Sequence, residues 1–200
     1  MQGEEHAWNL LDRSDPWEVC ERAAVFYRSE EDSYFVPMFG QLVTVDLARR
    51  ELRGDSPQAQ FLLTKTAYFS RLSILRYLLD AQNIKPTGRL LKPEELKSGQ
   101  IYLKGSHLLP LDAIAGRFGN DPDGLLRQGA RYGAEPRNYG DAAIELLPFA
   151  RVPITVILWR EDEEFPARSS LLFDETCELH LPPDILWSVA MMSALVLIKG

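Results

Sequence analysis

Residues 152–174 read VPITVILWREDEEFPARSSLLFD, and the fold follows from how this run is divided. Val152 to Trp159 is apolar almost without a break and rich in β-branched residues, which predicts a strand covered on both faces. Ser169 to Phe173 is a second extended run. Between them stand four consecutive acids, Glu161 to Glu164, followed by Phe165 and Pro166. So short a connection makes the two strands antiparallel, with the acids at the tip of a hairpin. Asp141 to Pro148, just upstream, reads as a third strand, so the three form a meander.

Downstream, Leu181-Pro182-Pro183-Asp184 opens a segment that is apolar nearly all round from Ile185 to Ile198. It is shorter than the ~18–20 residues of a membrane span and reads as a buried helix packed on the meander. Near the N-terminus, Asp15-Pro16-Trp17-Glu18 supplies the cap, the first-turn proline and the acid of a helix start. That helix is expected to carry Trp17, Cys20 and Ala24 toward one face. Tyr34 to Phe39 and Leu42 to Leu47 read as a hairpin around Gly40-Gln41, with Pro37 indicating an edge position. From Ser56-Pro57 onward, apolar spacings of three and four predict one long helix, beginning at Ala59 or Thr66 and ending at Ala81. Leu109 to Phe118 and the stretch after Asp121-Pro122 read as two more helices, and Tyr132 to Gly140 as a loop. The expected class is α+β: an antiparallel sheet with a C-terminal meander, packed against several helices including the apolar C-terminal one. Residues 1–200 are expected to form a single domain. A boundary near Gly54 to Pro57 would set off an N-terminal subdomain, 1–55, from a core, 56–200.

The net charge of −7 and the scatter of the 22 basic residues argue against nucleic-acid binding, which needs clustered Lys and Arg. The two cysteines, Cys20 and Cys177, are far apart and form no CxxC, so neither a thiolate zinc site nor an iron–sulfur site is supported. Buried thiols in a reducing compartment are the simpler reading. The acidic N-terminus does not resemble a secretory signal, so a cytoplasmic location without membrane association is expected.

In an extended strand alternate side chains share a face, so Asp162 and Glu164 can point the same way. Asp174, on the returning strand, is expected within reach of the same end, with Glu178 and His180 soon after. Carboxylates with one imidazole can hold a cation or act as an acid–base pair. The plainer reading is a hydrated tip whose acids keep the strand ends soluble. His6, His107 and His180 show neither HxxxH nor HExxH spacing, and Ser106-His107 adjacency does not create a triad. Trp159, Phe165 and Phe173 flank the tip. Exposed, they would form a partner-binding edge, and buried, they would close the core.

Seven short stretches occur in order: Leu75 to Ala81, Pro86 to Arg89, Gly140 to Ala143, Arg151 to Pro153, Asp162 to Pro166, Leu172 to Asp174 and His180 to Pro182. Together they resemble the uncharacterised family catalogued as domain of unknown function number 3786, over roughly Phe61 to Leu197. The resemblance implies a setting among anaerobic bacteria and archaea, in redox or one-carbon metabolism. Some such proteins look fused to a cysteine-rich iron–sulfur module. This chain lacks that cysteine cluster, so no iron–sulfur cofactor is expected from it alone. The matching polar positions are Asp141, Arg151, Asp162, Glu164, Asp174 and His180. Arg151 and Asp162 lie at opposite ends of the central strand, so they are expected in separate groups, with Arg151 paired to Asp141 or to another acid.

The resulting expectation is a non-catalytic binding or accessory domain. Its candidate ligand or partner site comprises Asp162, Glu164, Phe165, Asp174 and His180, with Asp141, Arg151 and Pro166 structural. The alternative is a metal-binding protein or enzyme using the same carboxylates. The cofactor, the identity of a protein partner or small ligand, and homo-oligomerisation stay open.

Overall fold

The computed structural model describes residues 2–97, 99 and 108–200, so Ser106 and His107 lie outside the described residues. Two antiparallel sheets are built. The first has β1 (Phe26–Arg28), β2 (Ser33–Met38), β3 (Gln41–Asp46) and β4 (Glu51–Arg53) in sequential order. The second comprises β5 (Leu90–Leu91), β6 (Glu135–Arg137), β7 (Ala142–Phe149), β8 (Val152–Trp159) and β9 (Arg168–Asp174), in the order β5-β9-β8-β7-β6. The helices among the described residues are α1 (Gln2–Leu11), α2 (Pro16–Ala23), α3 (Pro57–Thr64), α4 (Ala67–Asp80), α5 (Leu111–Phe118), α6 (Pro122–Ala130) and α7 (Pro183–Lys199). The fold is α+β, with a C-terminal meander and a C-terminal helix.

β8 takes the middle of the second sheet because nearly all of its residues are buried. Ile154, Val156 and Leu158 join the main core with Ile144 and Leu146 of β7 and Leu171 and Phe173 of β9. The register places Ile154 opposite Phe173 and Leu146, so these residues share one face. Pro153, Thr155 and Ile157 point the other way, and Pro153 and Thr155 look into a cleft. Seven buried residues in a row therefore do not mean a helix layer on each side.

The two sheets meet at a turn. Phe39 and Gly40 both have positive φ (48° and 67°), and Met38 pairs with Gln41. The hairpin loop is thus Phe39-Gly40, one residue earlier than the sequence suggested. Burial of the Phe39 ring, set edge-on to Tyr132 at 6.5 Å, compensates its left-handed backbone. Phe39 N donates to Leu147 O at 2.8 Å, joining this turn to β7. Gly40 also rests on Gly133, itself at φ 68°, and a Cβ on Gly133 would stand 2.7 Å from Gly40 Cα. Pro37 lies in an inner strand, yet β1 pairs with β2 only as far as Phe35, so its missing N–H costs no ladder bond on that side.

A second junction ties α2 to α4 and to the β7–β8 turn. The buried Tyr77 hydroxyl donates to Ala23 O at 2.7 Å and accepts from Arg151 N at 3.1 Å. Its ring stacks on Phe149 with centroids 4.3 Å apart. Arg22 donates to Leu79 O and Ala81 O at the C-terminal end of α4. Arg151 does the same for Glu21 O and Arg22 O at the end of α2. Each cation sits where a helix dipole is negative.

Two local expectations need correction, and one is narrowed. Asp15 caps α2 through Trp17 N and Glu18 N, but Trp17 is 68% exposed and the buried face is Val19 and Ala23. Ala24 lies past the helix as a left-handed cap, φ 52°. The long helix takes the later of its two expected starts: α4 runs Ala67–Asp80 between caps Thr66 and Ala81, and the earlier turns form the separate α3, with the Thr66 and Ser70 hydroxyls both donating to Leu62 O at the junction. The Tyr132 to Gly140 loop contains β6, whose pairing to β7 is a long-range contact that its Gly- and Pro-rich sequence does not announce.

The glycine contact predicts opposite effects for two alanine substitutions. Gly133→Ala should destabilise by at least about 1–2 kcal/mol, the cost of a left-handed non-glycine residue, with the steric clash in addition. Gly116→Ala, mid-helix in α5 with open space around its Cα, should stabilise by roughly 0.5–1 kcal/mol. Urea unfolding of both variants measures the signs.

Candidate functional site

The acidic tip is a self-contained turn. Asp162 Oδ1 accepts from Glu164 N at 2.9 Å and Phe165 N at 2.8 Å, and Asp162 N donates to Phe165 O. These backbone donors hold the Asp162 carboxyl below its usual range. Glu164 and Pro166 are exposed, and Phe165 is 61% exposed. Asp141 belongs to this end as well. Its carboxylate accepts from Arg160 N at 2.8 Å and its N–H donates to Leu158 O, extending the β7–β8 ladder.

Asp174 is not near this tip. β9 starts opposite Trp159 at Arg168 and ends at Asp174, so it carries Asp174 to the far end of the sheet, about 20 Å away at the usual rise per residue. Arg151 lies at that far end also. Its partners are Asn83 and the α2 carbonyls, so the expected pairing with Asp141 is wrong. The expectation failed because a hairpin partner was judged by its nearness in sequence, while a seven-residue strand exchanges one sheet end for the other. Asp162, Glu164 and Phe165 therefore form one locality, and Asp174 with His180 another.

At the far end, Asp174 and His180 fasten the segment Gln82–Arg89, which leads from α4 to β5. Asp174 is 0% exposed. It accepts from Thr87 N (3.3 Å), Gly88 N (2.7 Å), Thr176 N (3.0 Å) and Thr176 Oγ1 (2.7 Å). Burial pushes its pKa up, but these donors more than offset burial and hold the carboxyl below its ordinary range. His180, also 0% exposed, accepts from Gln82 N at its Nδ1 (3.3 Å), and Nε2 has no hydrogen-bond partner among the described residues. Burial drives its pKa down to about 4, with the Arg151 charge adding to the effect and Asp174 opposing it. Thr87 and Arg89 bind Glu175 through their side chains, completing the strap.

The strap forms one wall of a cleft of about 450 Å³ over the open face of the second sheet. The floor is Pro153, Thr155 and Glu145, and the opposite wall is Arg137 and Tyr139. Register explains the floor: Glu135 lies opposite Glu145, and Glu145 opposite Thr155, so the three side chains share one face. Arg137 bridges the two acids, reaching Glu145 at 2.5 Å and Glu135 at 3.0 Å, and both raise its pKa. Sequence reasoning missed Arg137, Tyr139, Glu145 and Thr155. A signal existed, since Glu145 and Thr155 are single polar residues inside apolar strands, but only the register shows them side by side. A larger hollow of about 580 Å³ between α1, α4 and α7 is mainly apolar, with Tyr68 and Trp187 at its rim. The cleft has the converging polar groups that fix a small ligand's orientation. Its lining also draws on three of the stretches that carry the family resemblance, through Thr87, Pro153 and Asp174. Among the described residues, no group of three or more His, Cys, Asp and Glu is placed to hold a metal ion, and no helix is long and apolar enough to cross a membrane.

Fold and cleft together define a two-sheet α+β protein with a polar hollow on an open sheet face. The chain belongs to the family described as domain of unknown function DUF3786, whose model matches residues 15–195 and so takes in the first sheet as well as the second. No curated protein and no solved structure matches it.

Two measurements test the fastening residues. Asp174→Ala should cost about 3 kcal/mol or more, since buried N–H groups lose their acceptor, while Asp162→Ala should shift the unfolding midpoint far less. Stability should also fall as pH drops from 6.5 toward 5. Unfolded His180 takes up a proton near its ordinary 6.5, whereas the folded state resists until about 4, so protons favour unfolding in that window. Replacing His180 with Gln should flatten this part of the pH profile, read by denaturant titration at fixed pH values.

Proposed function

We propose that the protein is a non-catalytic binding domain whose ligand sits in the cleft between the Gln82–Arg89 strap and Arg137-Tyr139. The observation that carries this reading is the floor. Glu145 and Thr155 are polar groups on the open face of otherwise apolar strands, and they adjoin a cavity of ligand size. The surrounding charges are already engaged: Arg137 is held by two carboxylates, and Asp174 is satisfied by four donors. Such an arrangement suits orientation of a ligand better than proton transfer to it. The sequence alternative, catalysis or metal binding by Asp162, Glu164, Asp174 and His180 together, loses its support because these residues stand at opposite sheet ends. An accessory role in anaerobic redox or one-carbon metabolism rests on the family resemblance alone.

A second reading concerns the hairpin tip, where Phe165 is exposed on a braced turn and offers an anchor for a protein partner. The two readings are separated by backbone-amide NMR of the labelled protein against a fragment library. Binders should shift Glu145, Thr155 and the strap amides. Shifts confined to residues 161–167, or to the helical surface, would overturn the cleft as the site.

A further inference from the structure

We infer that the cleft accepts a primary ammonium group carried on a short apolar stem, a claim that rests on the cleft being the ligand site. The first argument is charge. Two carboxylates, Glu135 and Glu145, face each other directly across β6 and β7, an arrangement that is unfavourable without neutralisation. Glu135 is 71% exposed and lies outside the lining, but it shares Arg137 with Glu145, and the lining itself holds two carboxylates, Glu145 and Asp174, against one guanidinium, Arg137, so the cleft keeps an excess negative charge. The second argument is hydrogen bonding. Arg137 occupies Glu145 Oε1, and Oε2 has no partner among the described residues. Thr155, the strand neighbour of Glu145, is 1% exposed and packs beside it in the cleft floor. The directly paired positions put their Cβ atoms about 5 Å apart. The second Glu145 oxygen is thus available as an acceptor on the floor, and an ammonium brings three donors and the missing charge. An anion would meet Glu145 with its own sign, and Arg137 has its guanidinium engaged. The third argument is the surroundings. Leu90, Leu147 and Pro153 give a stem an apolar bed, and the exposed Tyr139 ring can face a cation.

The chemistry is shared by free small amines and by lysine side chains. Both are tested by titrating the labelled full-length chain with n-butylammonium and with Nα-acetyl-lysine methylamide, beside n-butyrate and n-butanol. Saturable shifts of the Glu145 and Thr155 amides with either ammonium probe, exceeding those with butyrate and butanol, are expected, and the tighter probe names the source. Glu145→Gln, close to isosteric, should weaken the ammonium probe about tenfold or more, the scale of one hydrogen bond to a charged group. Thr155→Val, which leaves the free Glu145 oxygen and the floor charge in place, should weaken it far less. Butyrate or butanol binding the same amides more tightly would overturn the ammonium assignment and leave the cleft as the site. Silence from these four probes, with other fragments still shifting the cleft amides, would also overturn the ammonium alone. Silence from every compound would remove both.

Discussion

A buried carboxylate governs the end of the second sheet where the strap crosses it. Asp174 has no exposure to water, so its charge is tolerated only if hydrogen-bond donors replace the lost hydration. Thr176 supplies two of them from the turn just after β9, and the rest come from Thr87 and Gly88, far away in sequence. The strap is therefore drawn onto the sheet end by the need to solvate one side chain. His180 adds a second attachment at Gln82. Between these two points the chain has little choice of path, and the cleft acquires a wall that does not depend on a regular element. Gly88, with φ of 80° and no neighbour where a Cβ would lie, lets the strap turn its N–H inward.

The sheet beneath shows how one strand can serve two environments. The even-numbered residues of β8 enter the core, and Pro153 and Thr155 floor the cleft, yet all of these are buried. The local sequence carries little alternation, because Pro153 and Thr155 are buried at the bottom of the cleft while the even-numbered residues are buried in the core. Glu145 and Thr155 interrupt the apolar floor at positions set by strand register instead of by loop conformation.

What could be read from the sequence was what depends on neighbours within a few residues. The cap at Asp15, the helix start at Asp121-Pro122, the continuous apolar β8 and the C-terminal helix all depend on neighbours within a turn or a strand. What could not be read depends on encounters across the chain. Asp174 faces residues 87 and 88, Arg151 reaches α2, and Arg137 meets Glu145 through a strand hidden in a Gly- and Pro-rich loop. The face of α2 was misjudged for a related reason. Trp17 is large and apolar, but its ring lies edge-on to Tyr27 at 6.2 Å while most of it stays exposed. Size alone does not say which side of a short helix meets the core.

The exchange of arginines between helix ends also bears on how the chain can be divided. Gly54 to Pro57 looks like a natural place to cut when a smaller fragment is wanted for expression. A fragment begun there would lose Arg22, leaving the Leu79 and Ala81 carbonyls without their cation, and would lose the Ala23 carbonyl that receives the Tyr77 hydroxyl. Arg151 would in turn face solvent where α2 had been. The linker that looks most dispensable in sequence thus joins two segments that complete each other's hydrogen bonds.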